Sequence, residues 1–265
     1  MSLENPMSPA KRFLDALSFF TSLVPARLVS NSTLGECAPW IFPCGLVIGA
    51  LCTLASLAAS ILLTKAATCP DVIALLLAAL AWILAELRIT RALHWDGLAD
   101  LADAIGSYKE GEAFRAVLKD SRIGTFGVLA LICAFACELL AVAAHLHILS
   151  LTSVAALVLA PAWGRGMAVP LFCLASPHDT TGLGGQFACA GTRDNLALSI
   201  ILAALTLGFL ALAGVHPLNL CALLLLQMGL LWKFVALSRQ YDGYSGDFCG
   251  CLMQTGQILF LLVTI

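Results

Sequence analysis

Residues 72–103 read Val72-Ile73-Ala74-Leu75-Leu76-Leu77-Ala78-Ala79-Leu80-Ala81-Trp82-Ile83-Leu84-Ala85-Glu86-Leu87-Arg88-Ile89-Thr90-Arg91-Ala92-Leu93-His94-Trp95-Asp96-Gly97-Leu98-Ala99-Asp100-Leu101-Ala102-Asp103. The first part, 72–90, is an apolar run of about the 20 residues that a helix needs to cross the hydrocarbon of a bilayer. The second carries three carboxylates at spacings of four and three. On a helix turning about 100° per residue, Asp96, Asp100 and Asp103 fall within roughly a 60° arc. Like charges so placed repel and weaken the helix. A hard divalent cation between them suits an all-oxygen cluster. The alternative is that Asp96 is an N-cap, with Asp100 and Asp103 solvated near the positive end of the helix dipole. Capping explains one acid or two, but not a third in the second turn.

Of the 265 residues, 60% are hydrophobic and 11% charged, and the mean hydropathy is +0.95. A soluble domain carries about 25% charged residues, so the chain reads as an all-α, polytopic membrane protein. Its net charge of −2 says little about partners, and nothing points to nucleic acid. Met1–Pro9 is polar and broken by proline, with no cleavable signal pattern. The eleven cysteines stand singly, without a Cys-x-x-Cys pair. They read as small buried apolar residues.

Seven spans are expected, at 40–64, 72–90, 125–146, 151–174, 196–214, 217–237 and 247–265, the last interrupted by Gln254, Thr255 and Gln257. Residues 10–24 are too short and too charged to span, and suit a helix lying at the membrane surface. The chain is then a single transmembrane unit, 1–265, with 88–122 as its charged loop region.

Placement of the basic residues orients these spans. Lys11, Arg12 and Arg27 precede the first; Arg88, Arg91, Lys109, Arg115, Lys119 and Arg122 lie between the second and third. Arg193 precedes the fifth, and Lys233 and Arg239 flank the end of the sixth. Alternate loops hold only Lys65. By the positive-inside rule the acidic cluster faces the cytoplasm, where the acids escape most of the cost of the bilayer interior.

Other residues suit phosphate chemistry. Lys119-Asp120-Ser121-Arg122-Ile123-Gly124-Thr125-Phe126-Gly127 puts two cations, hydroxyls and glycines at the start of span three, a plausible phosphate cradle. Equally, Asp120 or Ser121 caps that span while Lys119 and Arg122 anchor at headgroups. Gly182 and Gly184 lie in a glycine-rich loop whose amides would approach a phosphate, and Arg239 is a further cation at the end of span six. Arg165, between two glycines in span four, is a functional candidate by its depth alone; pairing with Glu138, or snorkelling, is the alternative. Glu86 suits either the site or a partnership with Arg88 or Arg91. Asp247 is an N-cap or, if spans six and two meet, a residue that completes the oxygen shell. His94 is the histidine beside the acids, but a helix running through it would point it about 160° away from Asp96.

The run Thr90 to Asp100, followed by Asp103, resembles the signature of the cobalamin synthase family, the adenosylcobinamide-GDP ribazoletransferases. Lys119 to Thr125 is similar to that family's second signature, at the expected distance. Resemblance extends from Phe19-Phe20-Thr21-Ser22-Leu23-Val24-Pro25 through Phe42-Pro43, Arg165 and Gly182-Leu183-Gly184 to Gly246-Asp247, nearly the whole chain. One departure is that Gln254 and Gln257 stand where the family usually has glutamates.

The resemblance implies a bacterial cytoplasmic-membrane enzyme with its active site facing the cytoplasm. The 3′-hydroxyl of α-ribazole, or of its 5′-phosphate, would attack the phosphoryl group on adenosylcobinamide-GDP, releasing GMP. Mg2+ would sit on Asp96, Asp100, Asp103 and Asp247. Lys119, Arg122, Arg165, Gly182, Gly184 and Arg239 would bind substrate, and Asp120 would be the base, with Asp103, Asp247 or His94 as alternatives. Partners are the two substrates and the lipid bilayer, a homo-oligomer being a possible assembly. Two other classes stay open. A CDP-alcohol phosphotransferase would consume a CDP-lipid, although the second half of its acidic motif is absent. A cation-coupled transporter would want its acids near the bilayer midplane.

Overall fold

The computed structural model describes residues 8–25, 35–65, 70–179 and 183–265; Arg27 and Gly182 lie outside the described residues. The chain opens with α1 (Pro9–Phe20), which begins at a Ser8 cap with proline in its first turn, where the missing N–H costs nothing. One side of α1 is buried, through Ala16, Leu17 and Phe20. Then come α2 (Ala38–Lys65) and α3 (Asp71–Thr90). Arg91 and Ala92, both at φ 56°, turn the chain sharply into α4 (Leu93–Gly106). The carbonyls left unpaired where α3 stops accept from the tail of α1: Ser22 N–H donates to Ile89 O at 2.7 Å, and Arg91 donates back to Phe19 O at 3.0 Å.

The short α5 (Gly111–Leu118) precedes α6 (Thr125–Ile148). The next span is broken at Met167 into α7 (Leu151–Gly166) and α8 (Ala168–Leu174). After α9 (Leu183–Gln186) and a 3-10 turn at Ala188–Ala190 come α10 (Arg193–Leu212), α11 (Pro217–Gln240) and α12 (Gly246–Val263). Among the described residues, seven helices are long and apolar enough to cross a membrane, from Ala38–Leu63 to Gly246–Val263. They match the seven expected spans to within a few residues at each end.

The α7–α8 span and α12 form the centre, and α10 lies outermost with Ile200, Ile201, Leu205 and Leu212 exposed. Exposed apolar residues on every side are what lipid contact requires of a bundle. Small residues bring the helices close, as membrane packing favours. A side chain at Gly45 or Gly49 of α2 would strike the α7 backbone, and one at Gly164 would strike Met253 of α12. The cysteines divide, contrary to the expectation that all are buried. Cys37, Cys44, Cys52 and Cys249 are interior, while Cys133, Cys137, Cys189 and Cys221 are exposed. Cys133, Cys137 and Cys221 lie on spans, where lipid accepts a thiol as readily as the core does.

Candidate active site

Helix α4 carries Asp96, Asp100 and Asp103 as the spacing predicts, but tertiary contacts give them different neighbours. Asp103 Oδ2 accepts from Gly124 N at 2.6 Å and Oδ1 from Gly127 N at 2.8 Å. The N-terminus of α6 is therefore capped from another helix, rather than by Asp120 or Ser121. A Cβ at either glycine would collide with that carboxylate. The glycines of the second motif thus make room for an acid of the first.

Asp247 reaches the same place through α12. Its backbone packs on Gly97, where a side chain would meet Asp247 Cα at 3.0 Å, and Gly250 lies against His94. These glycines let the first turn of α12 rest directly on α4. Ser245 is the N-cap position of α12, and its hydroxyl donates to Asp247 Oδ2 at 3.1 Å. The loop before it is held by Arg115, which the sequence marked only as a topology signal. Arg115 Nη2 donates to Tyr241 O and to Gly243 O, the latter at 2.7 Å, and its guanidinium lies 5.9 Å from the Phe248 ring centre. Phe114 stacks on Tyr241 at 3.7 Å. An arginine whose neighbour Phe114 is apolar and periodic with Leu118 was the available hint that α5 docks rather than floats.

The side chains of Asp96 and Asp100 have no hydrogen-bond or ion-pair partner among the described residues. The Asp100 carboxyl is pushed up to about 6, first by burial and then by Asp96, Asp247 and Asp103. Such a set of mutually repelling carboxylates fits a hard cation by donor chemistry. Among the described residues, no three acidic, histidine or cysteine side chains are drawn together as a ready-made metal shell. A cation here would draw part of its oxygen shell from substrate or water.

Asp96 lines two cavities. A narrow slot of about 80 Å³ is lined by Phe19, Phe20, His94, Phe172, Phe187 and Met253, with Asp96 and Asp247 among its other walls. A cleft of about 650 Å³ runs between α3, α4 and α6, with Asp96, Asp100 and Ser121 above an apolar wall that includes Trp95, Ile132 and Phe135. His94 sits in the first turn of α4, is buried, and still shares the slot with Asp96. Burial pushes its pKa well below the ordinary value, so it is a neutral imidazole at pH 7.

The remaining residues fall elsewhere. Arg122 holds Asp120 in a two-pronged pair, Nη2 to Oδ2 at 2.7 Å and Nε to Oδ1 at 3.0 Å, which keeps the Asp120 carboxyl at about 2. Lys119 and Arg239 are exposed. Gly184 lies in α9. Arg165, 1% exposed, is inside the bundle, 3.8 Å from Glu86 Oε1. Its Nη1 donates to Pro161 O at 3.0 Å and to Gln257 Oε1 at 3.3 Å. The Gln257 amide nitrogen donates to Glu86 at 2.9 Å and to Glu138 at 2.6 Å, and Gln254 donates to Glu138 at 3.0 Å. Glu86 thus pairs with Arg165 rather than Arg88 or Arg91. The amides of Gln254 and Gln257 join both glutamates into one network.

Comparison with known proteins shows the family. The family model described as cobalamin-5-phosphate synthase matches residues 12–265. An adenosylcobinamide-GDP ribazoletransferase of Nitratidesulfovibrio vulgaris is 38% identical over 236 residues, 89% of each chain. One from Klebsiella pneumoniae is 35% identical over 264 residues, 96% of this chain and 99% of that one. One from Thiobacillus denitrificans is 33% identical over 253 residues, covering 94% and 92%. No solved structure is significantly similar. With a match over almost its full length and both acidic helices inside it, the chain belongs to the cobalamin-5-phosphate synthase family.

Proposed function

We propose that the protein is a magnesium-dependent adenosylcobinamide-GDP ribazoletransferase, working at the cytoplasmic face of a bacterial cytoplasmic membrane. The observation that carries the reading is the pair Asp96 and Asp100, without a cation of their own, on α4, where both line the cleft and Asp96 also lines the slot. The cytoplasmic side follows from the positive-inside rule, since Arg88, Lys109, Lys119 and Arg122 flank the same acids in sequence.

In the reaction, the 3′-oxygen of α-ribazole, or of its 5′-phosphate, forms a bond to the phosphorus attached to adenosylcobinamide. The bond from that phosphorus to GMP breaks, and the hydroxyl proton passes to a carboxylate. Phosphoryl transfer asks a protein for positioning and charge neutralisation more than for covalent help. Asp96 and Asp100 would hold magnesium, which when bound offsets the charge of the pyrophosphate. Lys119 and Arg122, exposed on the segment whose Ser121 lines the cleft, would attract the phosphates.

Asp120 is a weak base while Arg122 grips it and keeps it at about 2. We assign proton acceptance to Asp247. It lies on a different helix from the cation ligands, lines the slot with Asp96, and has only Ser245 as a side-chain donor. Asp103, with both oxygens on backbone amides, fastens α4 to α6.

The test is GMP release by the purified protein in nanodiscs, given adenosylcobinamide-GDP and α-ribazole, with magnesium or with chelator. Activity should need the metal. Asp96→Asn and Asp100→Asn should lose both turnover and metal dependence, whereas Asp247→Asn should lose kcat and keep the KM for the activated corrinoid. Substantial turnover by Asp96→Asn, or turnover of a CDP-lipid instead, refutes the reading.

A further inference from the structure

Asp247 follows a loop, residues 241–245, that joins α11 to α12 and is held from two sides. On one side Tyr244 N donates to Ser176 O and His178 N to Tyr244 O, both at 3.0 Å, in a short parallel bridge with Pro177. Asp242 and Gly243, at φ 55° and 116°, turn the chain there, and a side chain at Gly243 would strike the His178 backbone. On the other side stands α5. The buried Arg115 donates from Nη2 to both Tyr241 O and Gly243 O, and Phe114 stacks on the Tyr241 ring. Tyr241 closes the C-terminus of α11, where unpaired carbonyls and the helix dipole favour a cation.

The first turn of α12 leans on this clamp. Its N-cap Ser245 makes no side-chain cap bond, because the hydroxyl donates to Asp247 instead. Contact with α4 runs through Gly97 and Gly250, and glycine lets two helices approach closely without a side chain to interlock them. Phe248, the bulky side chain of that turn, is fully buried and packs on Phe234 and again on α5, against Phe114 and Arg115. The polar network deeper in the bundle grips α12 at Gln254 and Gln257, about two turns or more beyond Asp247.

We propose that Arg115 is a positioning residue for the transfer reaction, holding Asp247 in place through the 241–245 loop. The inference rests on the assignment of Asp247 as proton acceptor and adds what keeps that carboxylate where it must be. Without the guanidinium, two carbonyls at the end of α11 lose their donor, the loop slackens and the first turn of α12 frays. Asp96 and Asp100, on α4, keep their places. The chemical step therefore slows, while binding of the activated corrinoid through its pyrophosphate does not change.

A double-mutant cycle tests this, read as GMP release from adenosylcobinamide-GDP and α-ribazole by the purified protein in nanodiscs. Arg115→Met should lower kcat about 100-fold, the loss expected when a reacting group is misplaced, with the KM for adenosylcobinamide-GDP unchanged. In the Asp247→Asn background the same substitution should slow kcat less than about twofold, because a base already removed cannot be misplaced. A general weakening of the fold would slow both backgrounds alike. If Arg115→Met folds poorly, Arg115→Lys, which keeps the charge and a donor on a shorter reach, gives the same cycle with a smaller first loss. An unchanged kcat in a folded Arg115→Met protein, losses that multiply across the two sites, or a raised KM with kcat intact each overturn the inference while wild-type turnover stands. If Asp247→Asn itself keeps the wild-type kcat, the assignment of the base falls and this inference with it. No GMP release by the wild-type protein removes the ribazoletransferase reading first.

Discussion

Two groups of acidic side chains share this bundle, and the protein treats them in opposite ways. Glu86 and Glu138, fully inside the spans, accept hydrogen bonds from the Gln254 and Gln257 amides, and Arg165 joins them through Gln257 and an ion pair with Glu86. Asp96 and Asp100, at the end of the spans, repel each other with no side-chain partner among the described residues, and Asp247 nearby has a single hydroxyl donor and Arg115 as a more distant cation. Burial explains the contrast. In the bilayer interior an uncompensated charge is too costly to keep, so the chain supplies its own partners. Near water the cost is lower, and a repelling set can be left for a ligand to complete. The inner group is therefore built to hold helices, the outer group to bind.

The sharpest way to break that distinction is to neutralise one acid of the outer group. Asp96→Asn should cut turnover by about 10⁴-fold, some 5.5 kcal/mol in the barrier, yet leave the melting temperature of the metal-free protein unchanged or higher. A loss of folding in place of activity would put Asp96 with the structural group. In the inner group the opposite is expected. Arg165→Met strands Glu86 and should destabilise by about 3–5 kcal/mol, read as a large fall in thermal midpoint in nanodiscs and in the yield of folded protein.

Asp103 lies between the two groups in character. Asp103→Ala removes an ionised cap from the start of α6 and should cost about 2 kcal/mol, with kcat falling because α4 loosens from α6. Normal stability in that variant would argue that Asp103 serves a ligand rather than the helix.

The smallest effect concerns pH. The Asp100 carboxyl sits at about 6, above its ordinary 3.8, so the folded form binds that proton more tightly than the unfolded form. Its contribution to stability is then greatest at low pH and is lost as pH rises through about 6. In chelator, the thermal midpoint should be a few degrees higher at pH 5.5 than at pH 7.5, and magnesium should reverse the order, because the cation and the proton compete for the same oxygens. Equal midpoints under all four conditions would remove Asp100 from the cation site.

Much of the architecture was legible in one dimension because the bilayer imposes a length and a polarity on each span. Runs such as 72–90 and 125–146 had nowhere else to go, and their ends were displaced only by local capping. The arc of Asp96, Asp100 and Asp103 was legible for the same reason, helical periodicity being a local property. Contacts made across the bundle were not. The glycines of Arg122-Ile123-Gly124-Thr125-Phe126-Gly127 look like a phosphate loop when read alone, and only the position of Asp103 shows that they make room for its carboxylate. Arg165 looked like a phosphate ligand or a partner of Glu138, and its nearest carboxylate is Glu86. Asp120 looked like a base until its neighbour two residues on closed over it.

What the amino-acid sequence determined unaided is therefore the number of spans, the side on which charge gathers and the helical face that carries three acids, since each depends on spacing and hydropathy along the chain. The tertiary structure alone decided which acids stay free. Asp103 is taken by α6, Asp247 is delivered across Gly97, and His94 is turned into a phenylalanine-walled slot. Those outcomes depend on helices far apart in sequence approaching within side-chain distance, and no local rule of periodicity contains that information.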